Sequence, residues 1–227
     1  RTPLTSMIGA SSSYLENEAA LPPKEKRELV SEIYEDANWL LHMVENLLSV
    51  TRITDGGASV LKKTPEAAEE VLFDAVSTSR KRYPDLQIKT VIPDEFVTAP
   101  MDPLLIKQVL LNLIENAYFH ARSTKPLECT LSSTEDAIKF CIRDYGTGIA
   151  PDRLSGIFDA VPSAPSSAAS TVDTRKGMGI GLSICKAIVN AHNGEITARN
   201  LTEGAEFCFT IPKEEIHHET YDPNPRH

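Results

Sequence analysis

Apolar positions fall at four- and three-residue intervals through the first fifty residues, then give way to shorter, mixed patterns, so the chain divides in two. Leu4, Ile8, Ser11 and Leu15 follow the helical spacing weakly, and Pro3 suits a first helical turn, where its missing N–H costs little. Leu21-Pro22-Pro23 marks a break. A longer helix is then expected from Lys24 to Thr51, with Ile33, Ala37, Leu40, Val44 and Leu47 as its seam. At helical rise this element is about 42 Å long. Two helices with such narrow seams bury little by themselves. A second copy would complete a four-helix bundle, and packing against the rest of the chain is the alternative.

Thr54-Asp55-Gly56-Gly57 is a connector. Beyond it, Glu66 to Tyr83 reads as a helix with Leu72, Ala75, Val76 and Ser79 inward, and Gln87 to Ile92 as a strand. Pro103 opens a helix reaching Ala121, whose Leu105, Val109, Leu110, Leu113 and Ile114 face the core. Leu127–Ser132 and Ala137–Arg143 resemble a hairpin turning near Thr134-Glu135-Asp136. Ser155 to Lys176 has no sustained period, which in a compact domain suggests a lid or binding loop. A last helix runs from the glycine stretch at Gly177 towards Ala191, and strands Glu195–Asn200 and Glu206–Ile211 close the domain. Helices laid against one antiparallel-rich sheet are the natural packing, an α+β chain. The expected domains are 1–55, 56–212 and a polar tail, 213–227.

Composition adds limits. The formal charge of -9 argues against broad nucleic-acid binding, which needs a basic phosphate-contacting surface. Cys129, Cys141, Cys185 and Cys208 lie far apart with no CxxC pair, so buried reduced thiols, without a disulfide, are expected, in keeping with a cytosolic compartment. The amphipathic pattern is already running at Arg1 without an initiator Met, so a longer chain is expected.

Three motifs carry the candidate chemistry. Asn112 and Asn116, spaced i,i+4, project from one helix face. An amide oxygen can coordinate a hard cation and an amide NH₂ can donate to phosphate; a hydrogen-bonded helix end is the plainer alternative. Glu115 between them can orient a water or accept a proton, help a metal shell, or face solvent. Asp144 leaves an apolar strand just before Gly146 and Gly148; its carboxylate suits the exocyclic amine of adenine, and the glycines permit close approach. Gly177, Gly179 and Gly181 leave N–H groups uncovered at a helix start, a phosphate site, with Arg175 and Lys176 alongside. Neither a GxxxxGK[ST] loop nor a dinucleotide fingerprint is present.

In this order the motifs resemble those of the sensor histidine kinases. Asn112 to Asn116 resembles the asparagine box, Asp144 to Gly148 and Gly177 to Gly181 the two glycine boxes, Ile157-Phe158 the start of the phenylalanine box, and Arg1-Thr2-Pro3-Leu4-Thr5 the segment after the phospho-accepting histidine. Thr51-Arg52-Ile53, Gly56-Gly57 and the run from Ile184 to Gly194 are similar to a potassium-responsive branch. The resemblance implies a helical hairpin, half of a dimeric four-helix bundle, followed by an α/β sandwich of the histidine-kinase/Hsp90-like ATPase fold. It implies ATP and Mg²⁺, with Asn116 and Asn112 at the metal, Asp144 at adenine, and Gly146, Gly148, Arg175, Lys176, Gly177, Gly179, Gly181, Leu182 and His120 among the nucleotide contacts. Glu115, Asn112 and Thr2 take catalytic parts, Thr2 in positioning water for dephosphorylation. A homodimer, a response-regulator receiver domain as partner, and a cytoplasmic place in a sensor anchored to the membrane upstream are implied with it. The accepting histidine would precede Arg1 by three residues, so this stretch alone would not phosphorylate itself there.

Three positions depart from the family pattern. Phe119 stands where lysine is common, Asp159-Ala160-Val161 replaces acid-Pro-Phe, and Gly204-Ala205-Glu206-Phe207 lacks the usual threonine. A different ATPase of the same fold, or a dimeric scaffold that has lost ATP use, are the competing expectations.

Overall fold

The computed structural model describes residues 2–54, 61–121, 123, 125–159 and 180–214. The chain separates into two compact units, 1–51 and 52–227. The first is a helical hairpin, α1 (Thr2–Asn17) and α2 (Pro23–Thr54). The Ser6 hydroxyl donates to Glu32 Oε1 at 3.0 Å across the pair. Ile33, Ala37 and Leu40 of the expected seam are half-buried. Val44 of the same expected seam is instead more than half exposed, as are Val30, Tyr34, Leu41 and Leu48.

The second unit contains β1 (Thr64–Ala67), α3 (Ala68–Arg82), β2 (Ile88–Val91), β3 (Thr98–Met101), α4 (Pro103–His120), β4 (Leu127–Ser133), β5 (Ala137–Arg143), α5 (Pro151–Leu154), α6 (Ile180–Ala191), β6 (Ile196–Asn200) and β7 (Ala205–Pro212). Five strands form one sheet in the order β2-β4-β5-β7-β6. All neighbours are antiparallel except β2 and β4, which are parallel. Inward positions alternate along the strands: Ile138, Phe140 and Ile142 on β5, Phe207, Phe209 and Ile211 on β7. Phe140 and Phe209, paired in register, stack at 4.9 Å. Leu72 of α3, Leu105, Ile106, Leu110, Leu113 and Ile114 of α4, and Ile188 of α6 are fully buried with them. The result is the expected α/β sandwich, one layer of helices on one layer of sheet.

Two expectations change. Glu66, expected in a helix, lies in β1, which pairs with β3 so that Pro65 sits opposite Pro100. Proline cannot donate to a ladder, so both strands escape pattern reading and fit only a short two-stranded edge ribbon. Cys141 and Cys208, expected as free thiols, form a disulfide. They lie directly opposite in the β5–β7 register with Cα atoms 4.1 Å apart, a proximity that a sequence separation of 67 conceals. Cys129 and Cys185 are buried and free, as expected. Among the described residues no helix is long and apolar enough to cross a membrane.

Candidate functional site

Helix α4 organises the site. Asp102 caps it, its Oδ1 accepting the N–H groups of Leu104 and Leu105 at 3.0 and 3.1 Å, with Pro103 in the first turn. Along this apolar helix runs a polar stripe at four-residue spacing, Gln108, Asn112, Asn116 and His120. Gln108 and Asn112 are buried, Asn116 is half-buried and His120 is exposed, so the stripe climbs from the core to the surface. The Gln108 amide donates to Asn112 Oδ1 at 3.2 Å, and Asn112 Nδ2 points at the Gly181 carbonyl, 3.5 Å away in the first turn of α6. Asn116 makes no side-chain hydrogen bond among the described residues, which leaves its amide for a ligand.

The two ends of α6 are tied to α4. A side chain at Gly181 would place its Cβ 3.9 Å from the Asn112 amide carbon. At the far end, His192 Nε2 accepts the Asp102 N–H at 3.0 Å, and Nδ1 lies 2.8 Å from the Ile188 carbonyl. Those contacts require a neutral ring protonated at Nδ1. Burial lowers the His192 pKa, the Ile188 bond opposes the shift, and Lys63 adds to it. The start of α6, with its positive dipole end, therefore lies beside Asn112. Gly181 and Leu182 are described there; Arg175, Lys176, Gly177 and Gly179 lie outside the described residues.

Asp144 leaves β5 and is 5% exposed. Its Oδ1 accepts the Gly146 N–H at 2.9 Å and the Ala205 N–H at 3.2 Å, while its own N–H donates to the Ala205 carbonyl at 2.9 Å. Among the described residues Oδ2 has no hydrogen bond. Two glycines permit this clamp. A Cβ on Gly204, at φ 79, would come within 2.1 Å of the Asp144 carbonyl oxygen, and one on Gly146 within 1.9 Å of the Ala121 carbonyl oxygen. The second approach seats the Asp144 loop on the C-terminal end of α4. Asn200 ties the loop's other side, accepting from the Ile149 N–H at 2.8 Å and donating to the Ile149 carbonyl at 2.7 Å. Gly148, at φ 73, packs against the same amide.

The stretch of α4 between Asn112 and Ala121 rises about 14 Å. It joins a phosphate-suited helix start to a carboxylate suited to an amine. Gln108 and Asn200, which contact Asn112 and the Asp144 loop, are residues that motif reading missed. The four-residue repeat before Asn112 would have revealed the first.

Glu115 is tied to the C-terminal end of α3. The Arg82 guanidinium pairs with its Oε1 at 2.5 Å, and the Tyr83 hydroxyl donates to the same oxygen at 3.3 Å. Burial, then the Glu115 charge, pushes the Tyr83 hydroxyl far above its ordinary pKa. Phe119 stands edge-on to Tyr83 and Tyr118 at 5.5 and 5.1 Å, completing an aromatic cluster instead of offering a cation. Of the expected lid anchor, Phe158 meets Phe207 edge-on at 6.2 Å and Asp159 pairs with Lys186 at 3.0 Å; positions 160–179 lie outside the described residues. Thr2 opens α1, with its side chain outside the described set.

Residues 101–215 match the family model described as histidine kinase-, DNA gyrase B-, and HSP90-like ATPase, and residues 1–56 that of the His Kinase A (phospho-acceptor) domain. The chain is 40% identical over 215 residues to the sensor protein KdpD of Clostridium acetobutylicum, covering 94% of this chain and 23% of that protein. It thus spans about a quarter of that relative's length. Among solved structures it resembles the histidine kinase ThkA in complex with response regulator protein TrrA, with TM-score 0.68, 22% identity, and coverage of 94% of this chain and 58% of that one. Full-length ShkA in complex with AMPPNP matches with TM-score 0.64, 25% identity, and coverage of 93% and 43%.

Proposed function

Because the chain belongs to the histidine kinase-, DNA gyrase B- and HSP90-like ATPase family and carries a phospho-acceptor-type hairpin ahead of that fold, we propose that it is the kinase module of a two-component sensor. Its reaction moves the γ-phosphoryl of ATP to an imidazole nitrogen on the hairpin and then to an aspartate of a response regulator. The carrying observation is that α4 links Asn112, at the start of α6, to the loop that holds Asp144. Bound there, Mg²⁺ would supply charge neutralisation at the phosphates, with Asn116 and Asn112 as its protein ligands. Asp144 Oδ2 accepts from the adenine amine, Gly146 and Gly148 let the base approach, and His120 and Leu182 flank the nucleotide. Gly177, Gly179 and Gly181 present N–H groups to phosphate, with Arg175 and Lys176 as cations.

Glu115 serves as a positioning residue, holding its turn of α4 through Arg82 and Tyr83. Thr2 acts on the regulator side of the cycle. The ShkA complex, which holds AMPPNP, and the ThkA complex, which holds a response regulator, support the same ligand classes for this chain. The hairpin pairs with that of a second copy, and the full-length sensor is anchored to the membrane outside this stretch.

Calorimetric titration with MgATP tests the pocket. Asp144→Asn should weaken binding about tenfold or more, since a charged acceptor is replaced. Unchanged affinity would defeat the adenine assignment. Labelled ATP mixed with this chain and a supplied hairpin that carries the histidine should label the hairpin. Binding without transfer would turn the assignment to the scaffold that Phe119 favours.

A further inference from the structure

One covalent feature adjoins the pocket without belonging to it. Cys141 on β5 and Cys208 on β7 face away from the core, on the side of the sheet that carries Lys139, Arg143, Glu206 and Thr210. That face is polar across its width: Lys89 pairs with Glu128 at 3.0 Å and Arg199 with Glu206 at 2.5 Å. Cys141 is half-buried and Cys208 is 4% exposed, so a water-borne thiol reaches the sulfur of Cys141 first. The Glu206 carboxylate, neutralised by Arg199, lies within 4.8 Å of both sulfurs. The other two thiols are out of reach. Cys129 and Cys185 are fully buried, and burial pushes each up to about 12.

The same two strands hold the base-reading acid. Asp144 follows Cys141 by three residues, just past the end of β5, and Ala205 precedes Cys208 by three on β7. The Asp144 N–H donates to the Ala205 carbonyl, and the Ala205 N–H donates to Asp144 Oδ1. A cross-link one short step away therefore constrains the strand pair that orients this carboxylate.

We propose that Cys141–Cys208 is a thiol–disulfide exchange site whose state sets how firmly Asp144 is held for nucleotide, a proposal that rests on the reading of Asp144 given above. The reductant is a dithiol. One of its thiolates attacks Cys141 Sγ, the Cys141–Cys208 bond breaks, and Cys208 leaves as a thiolate that takes a proton from water. The second thiolate of the reductant then attacks its own sulfur in the mixed disulfide, releasing Cys141, which is protonated in turn. Two electrons pass to the protein and the dithiol closes to its cyclic disulfide.

The test uses the whole chain, purified without reductant and again after dithiothreitol. Peptide mapping under non-reducing conditions should find residues 141 and 208 linked only in the first. MgATP affinity should fall about fivefold or more on reduction. A Cys141→Ser/Cys208→Ser variant should bind as the reduced protein does and ignore dithiothreitol. Equal affinity in the two redox states, or a dithiothreitol response that survives in the double variant, would overturn the exchange site. Asp144→Asn separates the two levels: if it weakens binding while redox state does not, only the exchange site falls. If it leaves oxidised-state affinity unchanged, the base-reading assignment falls first.

Discussion

At position 115 a carboxylate is buried on α4, 7% exposed, and its stability depends on a guanidinium from another element. Removing Arg82 leaves that charge buried without its cation, which costs more than the pair itself contributes. Arg82→Ala should therefore destabilise the second unit by about 3 kcal/mol in denaturant titration. Adding Glu115→Gln should recover much of the loss, because the charge that needed a partner is gone. A double variant as unstable as the single one would show that Arg82 acts through packing alone. The same neighbourhood shows what motif reading can and cannot reach. The placement of Asn112 and Asn116 on one helix face, and of Asp144 at a strand exit, was legible from spacing alone. The Glu115 partner was not, since nothing in the order of residues says that Arg82, 33 positions earlier, ends its helix against that turn.

Among the elements, α4 and α6 are joined by a buried imidazole rather than by hydrophobic packing alone. His192 is 2% exposed and must stay neutral to accept the Asp102 N–H. Its folded pKa lies below the ordinary 6.5, so the unfolded chain binds the proton more readily. The contribution is present in full above that value and is lost as pH falls through 6.5 towards the lowered folded pKa. Lys63, which also disfavours the charged ring, and Asp102, which favours it, are the charges acting on it. Melting temperature should fall more steeply between neutral and acidic pH in the wild type than in His192→Gln, which has no imidazole to protonate. Parallel profiles would exclude the histidine as the source. Helices α3, α4 and α6 and strands β4, β5 and β7 were legible because each keeps one period over seven or more residues. Strands β1 and β3 were not, because each is four residues long and carries a proline. The parallel pairing of β2 and the joining of Cys141 to Cys208 are facts of topology, and one-dimensional spacing carries no register.

For the whole molecule, the open question of what covers the hairpin has a quantitative form. Val30, Tyr34, Leu41, Val44 and Leu48 of α2 continue the four-and-three spacing yet remain 52% to 66% exposed, and Leu4, Ile8 and Leu15 of α1 are 53% to 75% exposed. A contiguous apolar line of this length is costly in water and is the surface that a four-helix bundle of two hairpins buries. In a two-fold arrangement a substitution removes its contact from both copies at once. Each buried aliphatic side chain is worth about 1.5 to 3 kcal/mol, so Val44→Asp should weaken dimerisation by about 3 kcal/mol or more, roughly a hundredfold in dissociation constant. Sedimentation equilibrium of wild type and variant reads this directly. Because Val44 belongs to the 1–51 unit and the proposed nucleotide residues to the 52–227 unit, MgATP affinity should stay unchanged in the variant. A wild-type chain that remains monomeric at high concentration would mean that the hairpin's apolar face has some other cover, and unaltered self-association in Val44→Asp would put the contact on another face of α2.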